Sequence, residues 1–304
     1  MRKAAVVLSV LIVSLLVPST AHAWGTSAHR YIMRRAVDLL PPAIKPFFEA
    51  HRDELIMRVI DPDLWRTLGW DEDQNHFLDF GVREYGDYPF HALPHRYDEA
   101  VAKFGLATLK KNGLLPWRFE EEFGNLRRAM EGAGRGAGFA SGNVVLFTAV
   151  AAHYIQDGTQ PLHAVDNYDG AMTRQNGIHA RFETALFERF ESRLTVTPPA
   201  VEPMTNPRDA AFDALLSGNR LASAVFAADK SAAAGREFYD DDYFEKFFAG
   251  AKTVLERRLG ESISATAALI VGAWDQAGRP NIAAQPGPRQ PQRVGGRGGV
   301  SGGN

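Results

Sequence analysis

The chain of 304 residues contains no cysteine. Disulfides and thiolate metal sites are therefore excluded, as is a lipid anchor on cysteine, and any metal must be held by histidine, carboxylate or backbone groups. A dominant charge of one sign is also missing: 34 Lys and Arg face 36 Asp and Glu, a formal charge of −2. Such a balance carries no strongly basic footprint of the kind that tracks a polyanion. Beyond the N-terminal segment, no apolar run is long enough to span a bilayer. Alternating strand patterns are scarce, and Thr195-Val196-Thr197 is too short to matter. There is no internal repeat.

The two ends read as processing and linker segments. Arg2 and Lys3 precede an apolar run over residues 4–17, and Ala21-His-Ala23 follows. This is the layout of a secretory leader with a small-residue cleavage site. It predicts a signal peptide over 1–23, a periplasmic or secreted product, and Trp24 as the first mature residue. An uncleaved anchor is the alternative, for which the run is short. Residues 281–304 are rich in Gly, Pro, Gln and Arg, carry Arg289, Arg293 and Arg297 and no acid, and have almost nothing to bury. They are expected to be a disordered tail. One domain is expected over 24–280, long enough for a large core.

Helical periodicity dominates that domain. Ser27 caps an expected helix to Pro41, and others are expected over 44–59, 98–111 with Gly113 as stop signal, from Pro116 onward, 143–156, 179–194, 210–228, 242–259 and 263–275. The 143–156 segment is apolar nearly all round, so it is expected to be central and buried. Gly132-Ala-Gly-Arg-Gly-Ala-Gly138 lacks a preceding strand and reads as a flexible connector. The expected class is all-α.

Chemistry concentrates in four places. His153 and Asp157 lie four apart on one face of the apolar helix, with Pro161 and His163 just beyond. Burying an imidazole beside a carboxylate is costly, and a cation is the simplest compensation; a satisfied core His–Asp bond is the competing reading. His179 and Glu183 are again four apart, which by itself equally describes a surface pair. Trp24-Gly-Thr-Ser-Ala-His29 opens the processed chain, where a free amine and first carbonyl can chelate a metal. Asp61-Pro-Asp63-Leu-Trp-Arg66 is followed by His76, a zinc-type donor set with an arginine fork suited to phosphate, or else an ordinary turn between helices. His51, His91 and His95 lack partners at ligand spacing. Phe77, Phe80, Trp65, Tyr88 and Phe90 are candidates to line a cleft, or simply core.

Taken together, these motifs resemble the superfamily of zinc-dependent phospholipases C and single-strand-specific zinc nucleases. Its ligand order is matched by Trp24, His29, Asp63, His76, His153, Asp157, His163, His179 and Glu183, from the mature N-terminus to about residue 190. The resemblance implies a single multi-helix domain and three zinc ions. One would take Asp63, His76, His153 and Asp157. The second would take the Trp24 amine and carbonyl, His29 and a bridging Asp157; the third, His163, His179 and Glu183. It also implies roles for Asp63, preferred over Asp61, and Arg66 at the scissile phosphate. Glu183 and the lack of cysteine lean toward the phospholipase branch, Asp63-x-x-Arg66 and His76-Phe-Leu-Asp79 toward the nucleases. The expected activity is phosphodiester hydrolysis, with a phospholipid head group or single-stranded nucleic acid as substrate. A secreted metal-binding protein without activity is the alternative from another class.

Overall fold

The computed structural model describes residues 24–284; the expected leader, and the tail from 285 on, lie outside them. Those residues form one all-α domain, with no strand among them. Helix α1 (Thr26–Asp38) is followed by three short helices, α2 (Lys45–Ala50), α3 (Arg52–Arg58) and α4 (Asp61–Thr67). A long irregular stretch then leads to α5 (Tyr97–Phe104), α6 (Leu106–Asn112), α7 (Leu115–Gly134) and α8 (Ala140–Thr159). A second irregular stretch leads to a composite helix: α9 (Ile178–Ala180), a wide π-type turn over Arg181–Leu186, and α10 (Phe187–Phe190). Two long helices close the chain, α11 (Pro207–Ala233) and α12 (Asp241–Gln276). Among the described residues no helix is long and apolar enough to cross a membrane.

Helix α8 is the axle. Every residue from Thr148 to Thr159 is buried, and α3, α7, α11 and α12 all pack against it. A helix apolar on all faces has no other place to go. Because its neighbours cover residues 148–159 completely, any polar side chain there must find its partner inside the protein.

Several local expectations are corrected. Ser27 does not cap α1: the helix begins one residue earlier, and the Ser27 hydroxyl donates to Glu188 at 2.8 Å. The segment 44–59 is broken at His51, and 98–111 at Gly105. Asp61 and Asp63 sit in the first turn of a helix rather than in a turn between helices; Pro62 is preset for that position, and acidic side chains there suit the helix dipole. Half of the glycine-rich run continues α7 to Gly134. Finally, 242–259 and 263–275 are one helix of 36 residues. Gly260 does not interrupt it, because a mid-helix glycine costs only about 1 kcal/mol. It serves a close approach instead, since a Cβ there would lie 2.7 Å from the Thr197 carbonyl oxygen.

Candidate metal centre

Three groups of buried donors converge around the C-terminal end of α8: His29, His153 and Asp157; Asp63, His76 and His153; and His163, His179 and Glu183. The segments that bring them together are distant in sequence. His29 comes from α1, Asp63 from α4, and His153 and Asp157 from α8. His163 sits in a short 3-10 turn, Pro161–Ala164, that follows α8 where Pro161 cannot continue the helix. His179 lies in α9, and Glu183 one step along in the π-type turn. Such turns recur at functional sites because they re-aim side chains within a continuous helix.

The loop carrying His76 is fixed by its backbone. Leu78 N donates to the His163 carbonyl at 3.0 Å, while His163 Nδ1 donates back to the His76 carbonyl. Asp79 N donates to Asn112 O at 2.7 Å, and Leu115 N to Phe77 O at 3.2 Å. Gly113 makes this possible. Its φ is +104°, and a Cβ there would collide with the Phe77 carbonyl at 2.1 Å. The sequence marks Gly113 only as a helix stop; the structure adds that only glycine lets the α6–α7 junction press against the His76 loop.

Asp157 is the hub. Its Oδ1 is 3.2 Å from His29 Nε2, and its Oδ2 is 3.0 Å from His76 Nδ1 and 3.2 Å from His153 Nε2. Asp63 Oδ1 lies 3.9 Å from His76 Nδ1 and 4.0 Å from His153 Nε2. Asp61 points elsewhere, 3.3 Å from Arg58, so of the two acids it is Asp63 that joins the cluster. In the third group His163 Nε2 is 3.1 Å from His179 Nε2, which is 2.8 Å from Glu183 Oε2.

The outer contacts set which ring nitrogen faces inward. Nδ1 of His153 meets the Val59 carbonyl at 2.8 Å, and Nδ1 of His163 meets the His76 carbonyl. A carbonyl only accepts, so both Nδ1 atoms carry protons and both Nε2 atoms are directed at the cluster, as in metal-ligating histidines. Two polar atoms buried within it, His29 Nε2 and Asp157 Oδ1, have no hydrogen-bond partner, and neither does Glu183 Oε1. Buried unsatisfied donors and acceptors of this kind are rare. Nitrogen and oxygen donors at this spacing, with no thiolate, fit a divalent cation.

The electrostatics agree. Burial works against an imidazolium at His153, but Asp157 and Asp63 outweigh it and raise its pKa to about 9. Burial also opposes ionisation of Asp157, yet His153, together with the imidazoles of His29 and His76 close to its two oxygens, holds that carboxylate well below its ordinary range. The third group has no such compensation. Burial pushes His163 down to about 3 and His179 down to about 4. Burial likewise pushes Glu183 well above the usual carboxylate range, despite a hydrogen bond from Gln160. A bound cation inverts that balance.

A cleft of about 360 Å³ opens onto the centre, lined by Arg66, Asp73, His76, Phe77, Asp79, His163, Tyr168, Asp169 and His179 among others. The Arg66 guanidinium sits 3.6 Å from Asp63 and 3.5 Å from Asp73. Asp79 also faces the cleft; burial and the nearby Asp166 raise its pKa to about 8. Of the five aromatic residues considered for the cleft, Phe77 lines it. Phe80 and Phe90 are buried and stack on each other with centroids 4.5 Å apart, Trp65 stacks on Trp70, and Tyr88 lies by Arg220. His51 packs on Phe47, and His95 stacks on Phe212 while bonding Asp209 at 2.8 Å.

Trp24 is fully buried. Its indole Nε1 donates to Thr159 Oγ1 at 3.2 Å, and its ring lies 6.1 Å from that of Phe182. Residue 24 is thus tied between the end of α8 and the turn that bears Glu183.

Some side chains that contact the candidate centre are not singled out by the sequence. Gln160 donates to Glu183 Oε2 at 3.0 Å and lies 3.1 Å from His179 Nε2, while its own oxygen accepts from Leu162 N. Its signal was available, as an amide between two ligand positions. Glu72, bonded by the Tyr154 hydroxyl, stands 3.9 Å from His76 Nε2. Arg181, between His179 and Glu183, is held by Asp229 of α11 at 2.9 Å and by the Tyr243 hydroxyl of α12 at 2.9 Å. Nothing local announces those last two partners. No protein-family model matches the chain, and no curated protein matches it either.

Proposed function

We propose that this protein is an exported, zinc-dependent phosphodiesterase of the phospholipase C and single-strand nuclease type. The observation that carries the reading is that Arg66 and three metal-type histidines, His76, His163 and His179, face one cleft. A phosphate in that cleft would meet the guanidinium fork and the cation sites at once. Export rests on the leader motif, and cleavage before Trp24 would release the amine proposed as a ligand. The ligand sets are those given by the resemblance: Asp63, His76, His153 and Asp157; Trp24, His29 and Asp157; His163, His179 and Glu183.

Zinc held there supplies Lewis-acid chemistry and lets water ionise near pH 7, against about 15.7 in bulk. The chain's own groups do the rest. Arg66 binds and orients the non-bridging oxygens and stabilises their charge as it grows. Asp63, held between Arg66 and the two imidazoles, orients the attacking water. His76, His163 and His179 are themselves buried at the floor of the cleft, a low-dielectric setting that strengthens both interactions.

Within this reading, the flank of the cleft favours a nucleic acid. Phe77 and Tyr168 offer aromatic surface for stacking. Asp79, whose ionisation burial and the nearby Asp166 oppose, presents a carboxyl edge to the same cleft. The test is hydrolysis of bis-p-nitrophenyl phosphate, abolished by chelator and restored by zinc. Parallel assays on single-stranded DNA and phosphatidylcholine separate the branches. A zinc-loaded protein inert on all three would leave the alternative, a metal-binding protein without activity.

A further inference from the structure

We infer that Gln156, anchored by Thr266 of α12, is a positioning residue that sets the tautomer of His29 and so makes its Nε2 available to a cation. The inference rests on the metal-centre reading above. Gln156 is fully buried on the most apolar long helix among the described residues, one residue before Asp157. A side-chain amide there is costly unless both ends are bonded. Its Oε1 lies 2.6 Å from His29 Nδ1, and its Nε2 donates to Thr266 Oγ1 at 3.3 Å.

The chemistry fixes the direction. His29 Nε2 faces Asp157 Oδ1 at 3.2 Å within a metal-type cluster, and neither atom has a hydrogen-bond partner. For Nε2 to offer a lone pair, the ring proton must sit on Nδ1 and needs an acceptor. Gln156 Oε1 is that acceptor. Thr266, accepting from the other end of the amide, keeps the oxygen turned toward the imidazole. The backbone carbonyls of Val59 and His76 do the same for His153 and His163. His29 differs in depending on a side chain, and therefore on α12. The His29 ring also stacks on that of His153, centroids 4.3 Å apart, so the ring plane is already fixed and only the proton position remains to be set.

The experiment uses the purified mature protein and Q156L, Q156E and T266V, each checked for helicity by circular dichroism. Zinc stoichiometry and affinity are read by competition with a chromophoric chelator. Long-range 15N–1H NMR of the zinc-loaded protein reads which His29 nitrogen is protonated. Q156L should weaken one zinc about 10- to 100-fold, the range for loss of an outer partner of a metal ligand. T266V should weaken it less. Q156E, which still accepts from Nδ1, should bind at least as tightly as wild type, which a packing role would not produce. His29 protonated at Nε2 in the loaded wild type overturns the inference. So does Q156L holding every ion as tightly as wild type, or Q156E losing as much as Q156L. Wild type that takes up no stoichiometric zinc overturns the metal-centre reading itself, and this inference with it.

Discussion

The donors around Asp157 and those around Glu183 adjoin one another but solve burial differently. Around Asp157, carboxylates and imidazoles compensate each other: His153 is raised to about 9 and Asp157 is held low. A proton can occupy the place of a cation there. Around Glu183 burial wins on every group, with His163 at about 3, His179 at about 4 and Glu183 pushed up. That group approaches neutrality without a cation, and a cation gives it charge it otherwise refuses. Equal burial therefore does not mean equal electrostatics.

The largest effect should come from Asp157→Ala, which removes the hub. Metal analysis should fall from the proposed three ions to one, and the proposed phosphodiesterase activity by more than the roughly 100-fold that loss of an outer partner can cost. Glu183→Gln should instead empty only the third site, leaving two ions. Equal losses in the two variants would erase the distinction. Next in size is Asp229→Ala, which leaves the buried Arg181 guanidinium without its carboxylate. Breaking such a pair costs about 3–5 kcal/mol, and urea unfolding should show it together with weaker zinc at the Glu183 group. Chelation comes third. Reckoned per ion, zinc at a hundredfold above its Kd stabilises by about 2.7 kcal/mol, so thermal scans with and without chelator should differ by the corresponding Tm shift for each ion lost.

The smallest effect is the pH dependence of the metal-free protein. His163 and His179 have folded pKa values below the ordinary value near 6.5, so the unfolded chain binds their protons first and stability falls as the pH drops below about 6.5 toward 3. Glu183 has the opposite sign: its raised pKa makes stability fall as the pH rises above about 4.3, its unfolded value. Two histidines outweigh one carboxyl below about 6.5, so their combined contribution should peak near there. Glu183→Gln should flatten the alkaline side relative to wild type. Asp79, at about 8, and His153, at about 9, leave a residual slope. A variant with the wild-type slope would show that Glu183 ionises freely.

Much of this was legible in residue order. The apolar run of α8 dictates burial, and its His153 and Asp157 could not be buried without compensation. The 3.6-residue period places them on one face, and Pro161 turns His163 back. Helix joints were less legible. His51 and Gly105 break helices that periodicity would carry through, while Gly260 fails to break α12, because packing rather than propensity decides such places.

By itself the sequence determined the all-α class, the central helix and the types of the candidate ligand residues, since hydrophobic period and the cost of buried charge are local properties. Only the tertiary structure decided that Asp63 and not Asp61 joins the cluster, that Phe77 alone of five aromatic candidates lines the cleft, and that Thr266, Asp229 and Tyr243 brace a site they never touch. Those outcomes depend on which helix faces lie against one another across more than a hundred residues of chain, as in the Gln156–Thr266 bond, and no spacing along the chain encodes that.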